Sequence, residues 1–133
     1  MMREMKKSKG FTMIELLVVA TIMIVLTTVG LVSFQKTTRN SRNAKRKAAL
    51  ETVRQSLVLY RSDLGSYPSG GGTASAFNAM LIIITDYVST ANVTDPQNTD
   101  EFVYTYTSNG STFSVCGYLD IDPAPIQYCL TNP

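Results

Sequence analysis

Phe11-Thr12-Met13-Ile14-Glu15-Leu16-Leu17-Val18-Val19-Ala20-Thr21-Ile22-Met23-Ile24-Val25-Leu26-Thr27-Thr28-Val29-Gly30-Leu31-Val32 is the stretch on which the fold turns. Its 22 residues hold one charged side chain, Glu15. A helix of about 20 apolar residues spans the hydrocarbon core of a bilayer. The run therefore predicts a membrane-crossing helix. No proline or turn cluster interrupts the helical pattern before Asp63. Leu50, Val53, Leu57 and Tyr60 recur at helical spacing with Ala49 beside them, while Arg46, Lys47, Arg54 and Arg61 form the opposite face. One helix from about Phe11 to Ser62 is expected, about 78 Å long at 1.5 Å per residue. Its first half is apolar all round. Its second half is amphipathic and needs a surface to lie on.

Outward from this run, charge is segregated. The net charge of the 133 residues is +2, but residues 1–10 carry +3 and residues 33–63 carry +6. Residues 64–133 contain no Lys or Arg and carry −6. Such halves either attract one another between neighbouring copies or stand as two solvated surfaces of opposite sign. A basic segment before an apolar run is how a secretory signal begins. Here the run is too long for a signal's apolar region, and no small-x-small site follows it. The small residue sits before the run, at Gly10, which makes this a signal-anchor with any cut on the cytoplasmic side.

The rest of the chain can hold only a small core. Residues 63–72 are dense with helix breakers and end the long helix near Gly65. Phe77, Met80, Leu81, Ile84 and Val88 have helical spacing, so a short helix is expected over Ala74 to Val88, with a strand over Met80–Thr85 as the alternative. Asn92 to Thr99 reads as loop. Phe102 to Ser108 alternates as a half-buried strand, Asn109-Gly110 signals a hairpin, and Ser111 to Leu119 returns. After a loop at Asp120 to Pro125, Ile126 to Leu130 makes a third strand. Cys116 and Cys129 then lie on neighbouring strands. Two cysteines beyond a membrane-crossing segment point to an oxidising exterior and one disulfide, which stabilises a 14-residue loop by roughly 3 kcal/mol. The fold class is α+β: a long N-terminal helix packed by its second half on a small antiparallel sheet.

Lys9-Gly10-Phe11-Thr12-Met13-Ile14-Glu15-Leu16-Leu17-Val18-Val19 resembles the class III signal of type IV prepilins and type II secretion pseudopilins. The resemblance implies a membrane aspartic peptidase, the prepilin peptidase, that cuts between Gly10 and Phe11 and then N-methylates Phe11. Tyr60-Arg61-Ser62-Asp63-Leu64-Gly65-Ser66-Tyr67-Pro68 looks like the segment closing the long helix in that group, and Asp95-Pro96 is a weaker echo. The implied organisation is a leader at 1–10, a transmembrane and polymerisation helix at 11–33, an amphipathic continuation at 34–63 and a head at 64–133. The implied function is a structural subunit of a type IV pilus or pilus-like filament. The implied partners are further copies, an inner-membrane platform protein and a cytoplasmic assembly ATPase. The precursor would sit in the inner membrane with its head outside the cytoplasm, and the filament would be extracellular or periplasmic. Many members have proline where this chain has Val32, so local melting there would fall to Thr27, Thr28 and Gly30. The cysteine pair fits pilins better than major pseudopilins, which tend to lack it and to bind calcium in a nearby loop. The alternatives are a secretion pseudopilin, a competence pilin that binds DNA, and an anchored domain that never polymerises.

Particular residues carry this chemistry. A carboxylate costs about 2.5–3.5 kcal/mol at the centre of a span and less near its end, where Glu15 lies. After cleavage, Glu15 of one subunit would neutralise the Phe11 amine of its neighbour and set axial register. Otherwise it simply faces water. The basic run Lys36 to Lys47 reads first as a solvated helix face, then as a partner for acidic heads of adjacent subunits, then as a site for anionic lipid or DNA. It lacks interleaved aromatics for base stacking. Six of its Lys and Arg follow the span, which opposes the orientation that the signal implies. Asp120 and Asp122, with Asp100 and Glu101, offer oxygen ligands for calcium, but without an EF-hand pattern, so no metal and no cofactor are expected. The absence of His, of a nucleophile–base pair and of a P-loop argues against an enzyme.

Overall fold

A computed structural model of the chain describes residues 10–88, 93–99 and 101–133, with the side chain of Val32 excepted. The basic leader before Gly10, the start of the 92–99 loop and Asp100 lie outside the described residues. The chain forms two compact units, Met1–Thr37 and Thr38–Pro133. Helix α1, Met13–Leu64, contributes to both, and its 52 residues are the long helix expected.

In the first unit, every described side chain from residue 10 to residue 31 is exposed. The hydroxyls of this stretch are nevertheless satisfied. Those of Thr21, Thr27 and Thr28 donate to the carbonyls of Val18, Met23 and Val25 at 2.7–2.9 Å. A helix that satisfies its own polar groups can enter hydrocarbon without unpaired donors.

In the second unit, α1 lies on a sheet and a short helix. Leu50, Val53 and Leu57 are fully buried, as their spacing requires. Each such side chain stabilises the fold by about 1.5–3 kcal/mol. They join Tyr104, Tyr106, Phe113 and Val115 from the sheet side and Phe77, Met80, Leu81 and Ile84 from the helix side in one core. The sheet is antiparallel in the order β1 (Gly70–Thr73), β2 (Thr105–Ser108), β3 (Phe113–Leu119) and β4 (Ile126–Thr131). Along β3 the burial alternates perfectly, because one face meets α1 and the other meets solvent.

Four details depart from the sequence reading. Helix α2 is Ala74–Ile83, shorter than expected, and the strand alternative does not form. Thr73 starts α2 by accepting from the Ala76 amide at 3.0 Å. Beyond Ile84 the chain turns onto α1 instead: Ser56 donates to the Tyr87 carbonyl at 3.0 Å, and the Tyr87 hydroxyl donates to Asp63 at 2.8 Å. Second, the strand expected from Phe102 begins only at Thr105. Third, the Asn109-Gly110 turn connects Ser108 to Phe113 through four residues, not two. Gly110 has φ +88°, and the Asn109 side chain accepts from the Ser111 and Thr112 amides at 3.0 and 2.8 Å. Fourth, the glycine-rich segment after the helix is strand β1, not merely a breaker. A Cβ on Gly70 would lie 2.3 Å from the Tyr106 ring, so only glycine lets β1 close over that buried tyrosine.

Gly70→Ala is expected to lower head stability by about 1–3 kcal/mol through overpacking, whereas Gly71→Ala, whose Cβ meets nothing within 4 Å, stays within about 0.5 kcal/mol. Urea unfolding followed by near-ultraviolet circular dichroism of the tyrosines checks the contrast.

Candidate functional site

Two constellations carry functional chemistry, one in each unit. The first surrounds Gly10, Phe11 and Glu15. Phe11 is 80% exposed, and Gly10 has open space around it. Thr12 and Glu15 close the N-terminus of α1 on each other. The Thr12 amide and hydroxyl donate to Glu15 Oε2 at 2.9 and 2.8 Å, and the Glu15 amide donates back to the Thr12 hydroxyl at 3.3 Å. This is a capping box, in which two otherwise unpaired helix-end donors are satisfied reciprocally. The sequence reading missed it, although Thr12-x-x-Glu15 before an apolar run is its signature. Beyond it, α1 is long and apolar enough to cross a membrane, and none of its most apolar window is buried.

The second constellation is a ladder of arginines on α1. Arg39 pairs with Asp122, and Arg42 approaches Asp120 at 3.4 Å. Arg46 is fully buried. Its Nε donates to Asp95 Oδ2 at 2.7 Å, and its Nη2 donates to Asp95 Oδ1 at 3.0 Å and to Gln97 at 2.6 Å. Nη1 donates to Asn43 at 3.0 Å, and the guanidinium stacks 4.4 Å from the Phe102 ring centre. Asn43 in turn holds Asp120 at both its carbonyl and its amide, by bonds of 2.8 Å each.

Burial alone would raise the Asp95 carboxyl, but the Arg46 hydrogen bonds, the Gln97 and Asn98 amides and the Arg46 charge together hold it below its ordinary value. Burial, with the Asp95 charge, pushes the Tyr104 phenol well above the usual range. Its hydroxyl is buried with no hydrogen-bond partner among the described residues.

These contacts revise two expectations. The sequence pattern puts Arg46 on the outer face of α1, yet it is buried, because Asp95 and Gln97 descend onto it. The run Lys36 to Lys47 is consequently not a uniform solvated face: three of its six cations are matched by carboxylates of the same chain. The triplet Lys45, Arg46, Lys47 does not present three charges together, and Lys47 lies 5.4 Å over the Tyr128 ring. Asp120 and Asp122, the calcium candidates, serve Arg42 and Arg39. Among the described residues no group of three or more Cys, His, Asp or Glu could hold a metal ion. Cys116 and Cys129 sit directly opposite each other on β3 and β4 and form a disulfide.

Residues 5–31 match the prokaryotic N-terminal methylation motif, the class III signal of type IV pilins. This match supports a type IV pilin-like family. No curated protein and no solved structure gives a significant match. The signal heads the bare apolar part of α1, and with its small antiparallel head the chain has an α+β, pilin-like architecture. The family is structural rather than catalytic. Its signal implies processing by prepilin peptidase and assembly into pilus-like polymers. Signal and apolar helix together imply membrane anchoring followed by filament assembly.

Removing Asp95 strands the Arg46 charge in the head. Asp95→Ala is expected to cost about 3–5 kcal/mol, and the cost should be partly recovered in Asp95→Ala with Arg46→Met. Because the folded Asp95 value is depressed, its contribution is complete at neutral pH. It is lost as pH falls from the unfolded carboxylate value of about 3.9 through the folded one. Urea midpoints measured across acid pH check the sign, and Asp95→Asn should flatten that dependence.

Proposed function

We propose that this chain is a structural subunit of a type IV pilus, cut between Gly10 and Phe11, N-methylated at Phe11 and polymerised through α1. The observation that carries the reading is the methylation motif at residues 5–31 heading an apolar helix whose side chains are uncovered. In this reading residues 1–10 are the leader, 11–33 the anchor that becomes the filament core, 34–63 the packing half of the helix and 64–133 the head. Lipid and a bundle of identical helices are similarly apolar, so extraction needs an external energy source. The proposed partners are therefore an assembly ATPase and an inner-membrane platform protein, besides prepilin peptidase and further copies.

The head belongs outside the cytoplasm, in a periplasmic or extracellular filament. Its disulfide supports this placement, because such bonds persist in oxidising compartments. The same bridge favours pilin over secretion pseudopilin. The engagement of Asp120 and Asp122 by arginines favours structural carboxylates over calcium ligands. A competence pilin that captures DNA draws less support, since Arg46 is buried and Arg39 and Arg42 are paired.

Glu15 is proposed to exchange its bond with Thr12 for the Phe11 amine of a neighbouring subunit. A buried carboxylate and a buried ammonium each penalise any axial slip that leaves them unpaired.

Intact-mass analysis of protein from assembled filaments is expected to show loss of residues 1–10, gain of one methyl group and loss of two hydrogens at the cysteines. A mature chain that still begins at Met1 would overturn the proposal.

Glu15→Ala and Glu15→Gln separate charge from capping. Both variants should be processed, and neither should assemble normally if the charge sets register. Normal filaments from Glu15→Gln, seen by electron microscopy, would assign Glu15 to the capping box alone.

A further inference from the structure

We propose that Asn109 is a self-modification site, at which the Gly110 backbone nitrogen closes on the Asn109 side chain and the residue becomes aspartate and isoaspartate. The inference concerns the head alone and stands apart from the filament reading. Asn109 is the one asparagine of the chain that glycine follows. The other asparagines precede residues whose side chains crowd the next peptide nitrogen, or, at Asn132, a proline with no N–H to lose.

The turn brings the reacting groups together. Asn109 is exposed, so water and hydroxide reach it. Its Oδ1 accepts from the Ser111 and Thr112 amides at 3.0 and 2.8 Å and from the Thr112 hydroxyl at 3.1 Å. Bonding Oδ1 to these two amides folds the carboxamide back over the Gly110 peptide, where attack on Cγ closes a five-membered ring. The same three donors polarise the carbonyl under attack. They surround the oxygen on which negative charge develops, at the distances of an oxyanion hole. Among the described residues the Asn109 Nδ2, the leaving group, has no hydrogen-bond partner. Asn43 shows the contrast: its Nδ2 is tied to the Asp120 carbonyl, and its Oδ1 to the Asp120 amide and Arg46.

The reaction balances with water alone. The Gly110 nitrogen gives its proton to hydroxide and bonds to Asn109 Cγ. The Cγ–Nδ2 bond breaks, and the nitrogen takes a proton from water and leaves as ammonia. Water then opens the cyclic imide at either carbonyl. Opening at Cγ leaves aspartate in an ordinary backbone. Opening at the main-chain carbonyl leaves isoaspartate, whose backbone runs through Cβ and Cγ. The two products act oppositely on the turn. Aspartate keeps the same three donors and binds them as a carboxylate, a stronger acceptor. Isoaspartate inserts a methylene between the Asn109 amide, which donates to the Thr112 carbonyl at 3.3 Å, and the Gly110 carbonyl, which accepts from the Tyr67 amide at 2.8 Å. Tyr67 is buried, with its ring centre 4.7 Å from that of Phe113. Isoaspartate therefore loosens the β2–β3 turn from the segment that follows α1, whereas aspartate adds a negative charge and leaves the turn in place.

The full chain in detergent micelles is aged at mildly acidic and mildly alkaline pH, in water enriched in heavy oxygen, and mapped by peptide mass. A parallel sample is aged unfolded in urea with its disulfide reduced. Asn109 is expected to exchange its NH2 for one heavy oxygen, faster at alkaline pH, and to yield isoaspartate that an isoaspartate methyltransferase labels. Conversion should be at least about threefold faster in the folded chain than in the unfolded one, because only the folded turn supplies the donors to Oδ1. Thr112→Val removes one of those donors. It should slow conversion in the folded chain at least about twofold and leave the unfolded rate unchanged. Near-ultraviolet circular dichroism of the tyrosines verifies that the variant has folded. A folded rate equal to or below the unfolded one overturns the proposal, and wild type alone decides this. An unaltered folded rate in Thr112→Val also overturns it. So does aspartate formed without isoaspartate, which marks direct hydrolysis in place of ring closure.

Discussion

A guanidinium with no exposed surface governs the head. Moving an arginine out of water costs several kcal/mol unless every donor finds an acceptor. Arg46 satisfies four of its five N–H donors with two oxygens of Asp95, one of Gln97 and one of Asn43, and offers its flat face to Phe102. The segment 93–99, which has no regular secondary structure, is thereby held against α1. Through Asn43 the same network reaches Asp120 at the end of β3. One side chain thus ties the helix, the irregular loop and the sheet together, and the surrounding apolar core gives those polar contacts their low-dielectric setting.

The apolar part of α1 obeys the opposite rule. Its side chains have nothing over them, and its hydroxyls are turned back on its own carbonyls. Such a surface is stable only in lipid or against other apolar helices, and those two environments are nearly equivalent to it. A membrane-anchored subunit that becomes a filament subunit needs just this interchangeability. Glu15 stands out from the surface as its single charge, and the capping box gives it a partner within its own chain. The pairing of Arg39, Arg42 and Arg46 with Asp122, Asp120 and Asp95 resolves part of the charge segregation seen along the sequence within one chain.

Features encoded by neighbouring residues are legible in the amino-acid sequence itself. The apolar span, the helix that continues from it, its end near Gly65, the methylation signal and the Asn109-Gly110 turn all depend on residues a few positions apart. Hydrophobic periodicity and turn chemistry report such local preferences directly. Leu50, Val53 and Leu57 belong to the core for the same reason. The alternation of β3 likewise indicates which face meets the helix, and its pairing with β4 brings the two cysteines opposite each other.

What only the tertiary structure decided involves residues far apart. Arg46 looks like an exposed member of a basic run until Asp95, 49 residues later, descends onto it. Arg39 and Arg42 find their carboxylates 83 and 78 residues away. The glycines of β1 read as a breaker because nothing near them in sequence announces the Tyr106 ring over which they must pass. A local pattern records what a segment prefers by itself. Burial of a charge or close passage of a backbone depends on which distant group arrives, and that is settled by packing.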